Sequence, residues 1–314
     1  MPKVTVIIPV FNGAAFVGRA IHSILEQTFQ DFEIIVINDG STDNTEEVVR
    51  DIADKRIRYF VQPNQGPNAA RNNGIRQARG EQLAFLDADD WWLPVKLQAQ
   101  LECLKERPEA GLVYCSALWI FLAGKVILQE ALVEGDVIQP LLFKNLVTGS
   151  ASSVMIPKRV FDKVGLFDEG FERMEDWEMW LRIGASFPFA AVRQPLVYIT
   201  NLPDSNSKDF SNMHASHLAV LEKAFNSYAR SFLYLQRDVL AAAYALGGRG
   251  FCKFGMYDLA REAFRKSLSL KSWNPELYAN WVLTFCGPVI NLQGLRLLHL
   301  LLEWRTRYKM QMRK

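Results

Sequence analysis

Through the first half of the chain, short apolar runs rich in β-branched residues alternate with stretches whose apolar positions recur at helical spacing. The predicted strands are "VTVIIPV", "FEIIVIND", "IRYFVQ" and "QLAFLDA", with helices beginning near Ala14, Asp43 and Ala69. This alternation predicts an α/β fold, a parallel sheet covered by helices on both faces, because the strand runs are too uniformly apolar to leave one face wet. In such sheets ligands bind at the carboxyl ends of the strands. The polar clusters fall there: "FNG" after the first strand, "NDGSTDNT" after the second and "DADD" after the fourth.

A helix is predicted from Pro94 to about Arg107, then strands at "GLVYCSALWIF" and "KVILQEALV", a helix near residues 138–145 and a strand at "SSVMIP". Two helices and a last strand follow up to Thr200. "NLPDSNSKD", residues 201–209, is polar and aperiodic, which marks a domain boundary or mobile loop. Residues 1–205 are therefore expected to form one α/β domain and residues 206–314 a helical extension. In that extension Tyr244, Gly248, Phe251, Ala260 and Phe264 fall at the spacings of one tetratricopeptide-type hairpin, although Gly247 stands where that motif prefers leucine. A single copy predicts a helical hairpin, not a solenoid. The last segment, "LRLLHLLLEWRTRYKMQMRK", joins a leucine stripe to a basic end. It reads as a packing helix with a solvated tail or as a peripheral membrane-surface helix.

Composition narrows the partners. Thirty-six Lys and Arg against 34 Asp and Glu give a net charge of +2, without the clustered basic character of a nucleic-acid binder. Cys103, Cys115, Cys252 and Cys286 form no C-x-x-C pair and sit in apolar surroundings, which predicts a reducing cytoplasm with neither a zinc site nor a disulfide framework. The opening "MPKVTVIIPVFNG" reads as a strand and not an export signal. Nowhere do about 18 apolar residues run uninterrupted, so no membrane-spanning helix is expected.

The sharpest chemical signal is "LDADD". If the strand continues, Asp87 and Asp89 share a face with Cα atoms about 6.6 Å apart, at a rise of roughly 3.3 Å per residue. Carboxylates so placed can serve a hard divalent cation, Mg2+ or Mn2+, together with diphosphate oxygens. The alternative is a helix-entry cluster before Pro94, which accounts for Asp90 and leaves Asp87 unexplained. Asp39 before Gly40 suits either a ligand contact or a turn. Arg71 suits phosphate oxygens or a solvated helix face. Glu175 and Asp176 open a helix, where acids also complement the dipole, and Asp43 with Glu46 has the spacing of a capping box.

Four motifs in order, "VIIPVFNG", "VINDGSTDNT", "NQGPNAARNNGIRQARGEQLAFLDADD" and "GLFDEGFERMEDWEMWLR", resemble glycosyltransferase family 2 enzymes of the GT-A fold over roughly residues 1 to 200. The resemblance implies a GT-A type, Rossmann-like, mostly parallel sheet and an inverting displacement on a nucleotide diphosphate-sugar, most simply a UDP-sugar. It also implies a divalent metal on the donor's diphosphate and a glycan or lipid-linked acceptor. Carried over, Pro9, Val10 and Phe11 line the nucleotide pocket, Asp39 reads the base, Arg71 meets the diphosphate and Asp87 lies near the ribose. Asp89 is then the principal metal ligand and Asp176 the general base. Many relatives carry a histidine after the last sheet strand where this chain has Asn201, which leaves metal affinity open.

Two other classes were weighed. A haloacid-dehalogenase phosphatase also uses D-x-D after an apolar strand, but expects Thr or Val where Trp91 stands. A decayed catalytic domain recruiting partners through its helical tail is disfavoured by the intact Asp39, Arg71, Asp87, Asp89 and Asp176, and mildly favoured by Asn201.

Overall fold

A computed structural model describes residues 1–121, 124–200, 210–271 and 275–285 of the 314-residue chain. Asn201, residues 201–209 as a boundary, Cys286 and the leucine-rich basic end lie outside these. The chain divides into two compact units, residues 1–206 and 207–314. In the first, the order is β1 (Val4–Val10), α1 (Val17–Leu25), β2 (Phe32–Asn38), α2 (Thr45–Arg50), β3 (Ile57–Val61), α3 (Pro67–Gln77) and β4 (Gln82–Phe85). There follow β5 (Trp91–Trp92), α4 (Lys96–Glu106), β6 (Leu112–Ile120), β7 (Val126–Gln129), α5 (Ile138–Phe143) and β8 (Val154–Pro157). α6 (Lys158–Val164), α7 (Glu175–Gly184) and β9 (Phe189–Thr200) complete the unit.

The strands form one sheet in the order β3-β2-β1-β4-β8-β6-β9-β5, with β7 on β6. β1 to β4 are mutually parallel, as the alternating pattern predicts, and every residue of β1 and β2 is buried. Beyond β4 the sheet is mixed. β8 runs antiparallel to β4 and β6, β5 antiparallel to β9, and β6 is parallel to β9. A run such as "VMIP" is apolar whichever way its neighbours run, so direction was not readable from it.

Pro9 shows how the site is opened. Ile7 O accepts the bond from Leu86 N, the last on the β4 side, while Val10 O accepts from Asp39 N on the β2 side. Two residues beyond Ile7, Pro9 faces β4 where that ladder has ended, so its missing N–H breaks no strand pairing. β1 and β4 part there, and the gap is the cleft described below.

The second unit contains α8 (Phe210–Asn226), α9 (Gln236–Lys253), α10 (Tyr257–Leu270) and α11 (Pro275–Leu283). α9 and α10 form a hairpin around buried Phe251, Ala260 and Phe264. Three glycines in α9, against helix propensity, each admit a ring. A Cβ on Gly248 would lie 2.5 Å from Phe264, on Gly250 1.8 Å from Phe210, and on Gly247 2.3 Å from His214. The last explains why leucine is absent from position 247: α8 occupies that space. Gly248→Ala should lower the urea midpoint of the helical signal, by an amount equivalent to a net loss of about 1–2 kcal/mol in stability, overpacking against Phe264 outweighing the gain in helix propensity. A raised midpoint would show that Phe264 can move aside. Among the described residues no helix is long and apolar enough to cross a membrane, and Cys103 and Cys115 are free thiols.

Candidate active site

Loops at the carboxyl ends of β1, β2, β3 and β4 enclose a cleft of about 720 Å³. Pro9, Val10 and Phe11 line it with Asn12 and Gly13, followed by Asp39, then Asn64, Gly66 and Pro67 at the entry to α3, and Arg71 one turn in. Asp87 and Asp89 follow from the β4 end, and Glu175 from the start of α7. Seven of the eight candidate residues thus share one cleft. The eighth, Asp176, is not on its wall; its half-buried carboxylate lies one residue along, next to Glu175, which is.

The first two loops are welded together. Asn12, at φ 49°, accepts from Thr42 N through Oδ1 and donates its own N–H to Ser41 Oγ. Asp43 accepts from Ala14 N at 3.0 Å and from Thr45 N at 3.1 Å. The capping box expected of Asp43 and Glu46 is absent, because Glu46 pairs with Arg50 and Asp43 bridges loops instead.

Asp39 is buried, and its carboxylate accepts from Gln62 Nε2, Gln65 N and Gly66 N at 2.8–3.0 Å. It therefore fixes the loop entering α3, with about one acceptor site left for a ligand. Asn68 and Asn72, on the same side of α3 as Arg71, bind the backbone of residues 167–171. That ties the loop before α7 to the cleft side of the sheet.

Arg71 is 5% exposed. Its Nη2 donates to Asp87 Oδ1 at 2.9 Å, and its Nη1 to Glu175 Oε1 at 3.2 Å and Asn68 Oδ1 at 3.3 Å. Burial alone would weaken its hold on the proton, but Asp87 and Glu175 more than reverse this and raise its pKa. Its buried Nε has no hydrogen-bond partner among the described residues.

The acidic segment is not a continued strand. β4 stops at Phe85, and Asp90 N donates to Asp87 O at 3.0 Å, closing a turn. The shared face expected of Asp87 and Asp89 is replaced by a division of labour. Asp87 binds Arg71 and Ser150, while Asp90 is buried and accepts from Ser152 Oγ and Thr200 N. Asp89 lines the cleft, and its carboxylate has no hydrogen bond to another of the described residues. Burial, then the charge of Asp87, pushes its pKa up to about 6. Its carbonyl is pinned from behind by Arg19 Nη2 and Thr200 Oγ1, each at 2.7 Å. Arg19 also lies 3.8 Å over the ring of Trp91, which stacks on Tyr198. Trp92, Trp177 and Trp180 are buried.

Asp89 is thus a half-buried, underneutralised carboxylate on the cleft wall, the donor a hard cation takes. Among the described residues no three His, Cys, Asp or Glu side chains converge to hold an ion. Mg2+ or Mn2+ at Asp89 would accordingly draw its other ligands from substrate oxygens and water.

At the start of α7, Met174 is left-handed at φ 61°. Asp176 Oδ1 accepts from Trp177 N at 2.6 Å. Burial, then the adjacent Glu175 charge, raises its pKa to about 7. Glu175 is already committed to Arg71. Sequence reasoning passed over Arg19, Ser150, Ser152 and Thr200. The two serines had a trace in the small polar run "GSASS" before a strand, while Arg19 and Thr200 had none.

Comparison with known proteins adds the following. Residues 5–165 match the Glycosyl transferase family 2 profile. An uncharacterised glycosyltransferase of Rickettsia typhi is 35% identical over 191 residues, 58% of this chain and 58% of that one. A GalNAc(5)-diNAcBac-PP-undecaprenol beta-1,3-glucosyltransferase of Campylobacter jejuni is 46% identical over 110 residues, 34% of this chain and 36% of that protein. The chain spans little more than half the length of the first of the curated relatives it matches, and 38% of one from Rickettsia felis. Among solved structures, S. aureus TarS 1-349 in complex with UDP-GlcNAc superposes with a TM-score of 0.68 at 15% identity, over 94% of this chain and 90% of that one. The mannosyltransferase PcManGT from Pyrobaculum calidifontis in complex with GDP-Man and Mn2+ gives 0.54 at 17% identity, over 94% and 87%. At these identities the structural likeness speaks for the fold.

Proposed function

The chain belongs to glycosyl transferase family 2, and from that premise we propose that it moves a sugar from a UDP-sugar to a hydroxyl of a glycan or lipid-linked acceptor, inverting the anomeric carbon. The observation that carries this reading is the convergence of Pro9–Phe11, Asp39, Arg71, Asp87 and Asp89 on one cleft at the strand ends. Every described residue that lines the cleft falls within residues 1–205, the segment to which the chemistry is assigned. The free thiols suit a cytoplasmic enzyme. A lipid-linked acceptor is supported by the name of the C. jejuni relative, whose substrate is PP-undecaprenol-linked.

Pro9, Val10 and Phe11 pack against the base, and Asp39 accepts its ring N–H with the remaining lone pair. Asp87 lies near the ribose. Asp89 would hold Mg2+ or Mn2+, which when bound would neutralise the charge that develops on the leaving diphosphate. Arg71 adds a fixed positive charge beside it, and its unpartnered Nε–H is a donor that a phosphate oxygen would satisfy. Asp176 takes the acceptor's proton. Its pKa near 7 leaves it largely ionised at slightly alkaline pH yet basic enough to help.

The test is a thermal-shift panel of UDP- and GDP-sugars with Mg2+ or Mn2+. A ligand at about 100 times its Kd should stabilise the fold by roughly 2.7 kcal/mol. UDP-sugars should shift the transition, and the shift should need the metal. If no nucleotide sugar moves it with either ion, the donor-site reading is wrong.

A further inference from the structure

Among the described residues, three that are not glycine adopt a positive φ: Asn12, Ser150 and Met174. All three adjoin the site. Asn12 lines the cleft and Met174 directly precedes Glu175. Ser150, at φ 54° and ψ −158°, is the most strained, in a region populated almost only by glycine. Gly149 before it is also left-handed, at φ 65°. Such a backbone persists where its surroundings over-determine it, and these places cluster at functional sites.

What Ser150 does there is visible in its contacts. Its Oγ donates to Asp87 Oδ2 at 3.1 Å and accepts from Ser152 N at 3.4 Å. With Arg71 Nη2 on Asp87 Oδ1 at 2.9 Å, both oxygens of Asp87 are occupied from fixed directions. Ser152 Oγ meanwhile accepts from Asp87 N at 3.0 Å and donates to Asp90 Oδ2 at 2.6 Å. Residues 150–152 thus grip the acidic turn by the side chain of its first aspartate, the backbone of that residue and the side chain of its last. The exception is Asp89.

We propose that Ser150 is a positioning residue of the donor site, whose hydroxyl, with Arg71, fixes the Asp87 carboxylate in place so that Asp89 is the aspartate left to the cation. The proposal rests on the reading that Asp89 is the metal ligand. Carboxylates in one turn repel, and a carboxylate held by a single partner is free to rotate about its last bond. Without the hydroxyl, Asp87 keeps only Arg71 as a side-chain partner. Its charge is then no longer fixed in place relative to Asp89, which loosens the ligand geometry and the local charge on which metal affinity depends.

Glycine at position 150 separates this role from folding, since it loses the hydroxyl while accepting the backbone conformation without strain. Calorimetric titration of UDP and GDP with Mn2+ into full-length wild type, Ser150→Gly, Ser150→Ala and Asp89→Ala makes the test, with thermal midpoints recorded for each. Ser150→Gly should raise the half-saturating Mn2+ concentration by roughly 10-fold or more, with an unchanged or higher midpoint. Ser150→Ala should show the same metal shift with a lower midpoint. If Ser150→Gly leaves half-saturation unchanged while Asp89→Ala abolishes metal-dependent binding, the proposal is overturned and the donor-site reading stands. If Asp89→Ala also keeps the wild-type half-saturation, or wild type binds neither nucleotide, the donor-site reading falls and the proposal with it.

Discussion

Asp89→Ala is expected to abolish metal-dependent binding of a nucleoside diphosphate while leaving the apo fold intact. Asp87 and Asp90 are consumed by the protein, the first by Arg71 and Ser150, the second by Ser152 and Thr200. Only Asp89 remains to meet a cation, so no neighbour can replace it. The fold should tolerate the change because the carboxylate makes no hydrogen bond to another of the described residues. Its pKa, raised to about 6, means that the native state binds its proton more tightly than the unfolded chain does. Stability from this group is therefore present at low pH and lost as pH rises through about 6, so above that pH the alanine variant should unfold at the same temperature or higher. Metal affinity runs the other way, since the cation takes the ionised form, and should strengthen in wild type as pH rises through about 6. Calorimetry with and without Mn2+, across pH 5 to 8, measures both. Undiminished metal dependence in the variant would remove Asp89 from the site.

Asp176→Asn should separate chemistry from donor binding. The amide keeps the shape of the carboxylate but cannot take the acceptor's proton, so the loss belongs to the transition state. Turnover at saturating substrates should fall by about 10²- to 10⁴-fold, with donor affinity unchanged within a few-fold, because Asp89 and the Arg71–Asp87 pair are untouched. In wild type the same turnover should rise with pH and level off above about 7, as burial and the Glu175 charge set the ionisation of Asp176 there. Glu175→Gln is the essential control. It removes a partner of Arg71 and a negative neighbour of Asp176, so the profile should shift to lower pH while appreciable turnover remains. An active Asp176→Asn beside an inactive Glu175→Gln would move the base by one residue, to the carboxylate that lines the cleft.

The sequence by itself determined the parallel half of the sheet, because fully buried strands must be apolar throughout and crossover helices must repeat every 3.6 residues. "VTVIIPV" and "FEIIVIND" can satisfy that in few other ways. It also put forward Asp39, Arg71, Asp87 and Asp89 as candidates, the acids because they close apolar strands and the arginine through the order of the motifs around it. Strand direction beyond β4, the turn at Asp87–Asp90 and the departure of Asp176 from the cleft wall were decided only by tertiary structure. Each depends on a partner far along the chain: Ser150 and Ser152 lie more than 60 positions from the aspartates they hold. Arg71 reaches Glu175 across 104. Local periodicity records whether a side chain is buried, but not which residue it meets there. For that reason the acids were legible, while the hydroxyls that assign each acid its task were not.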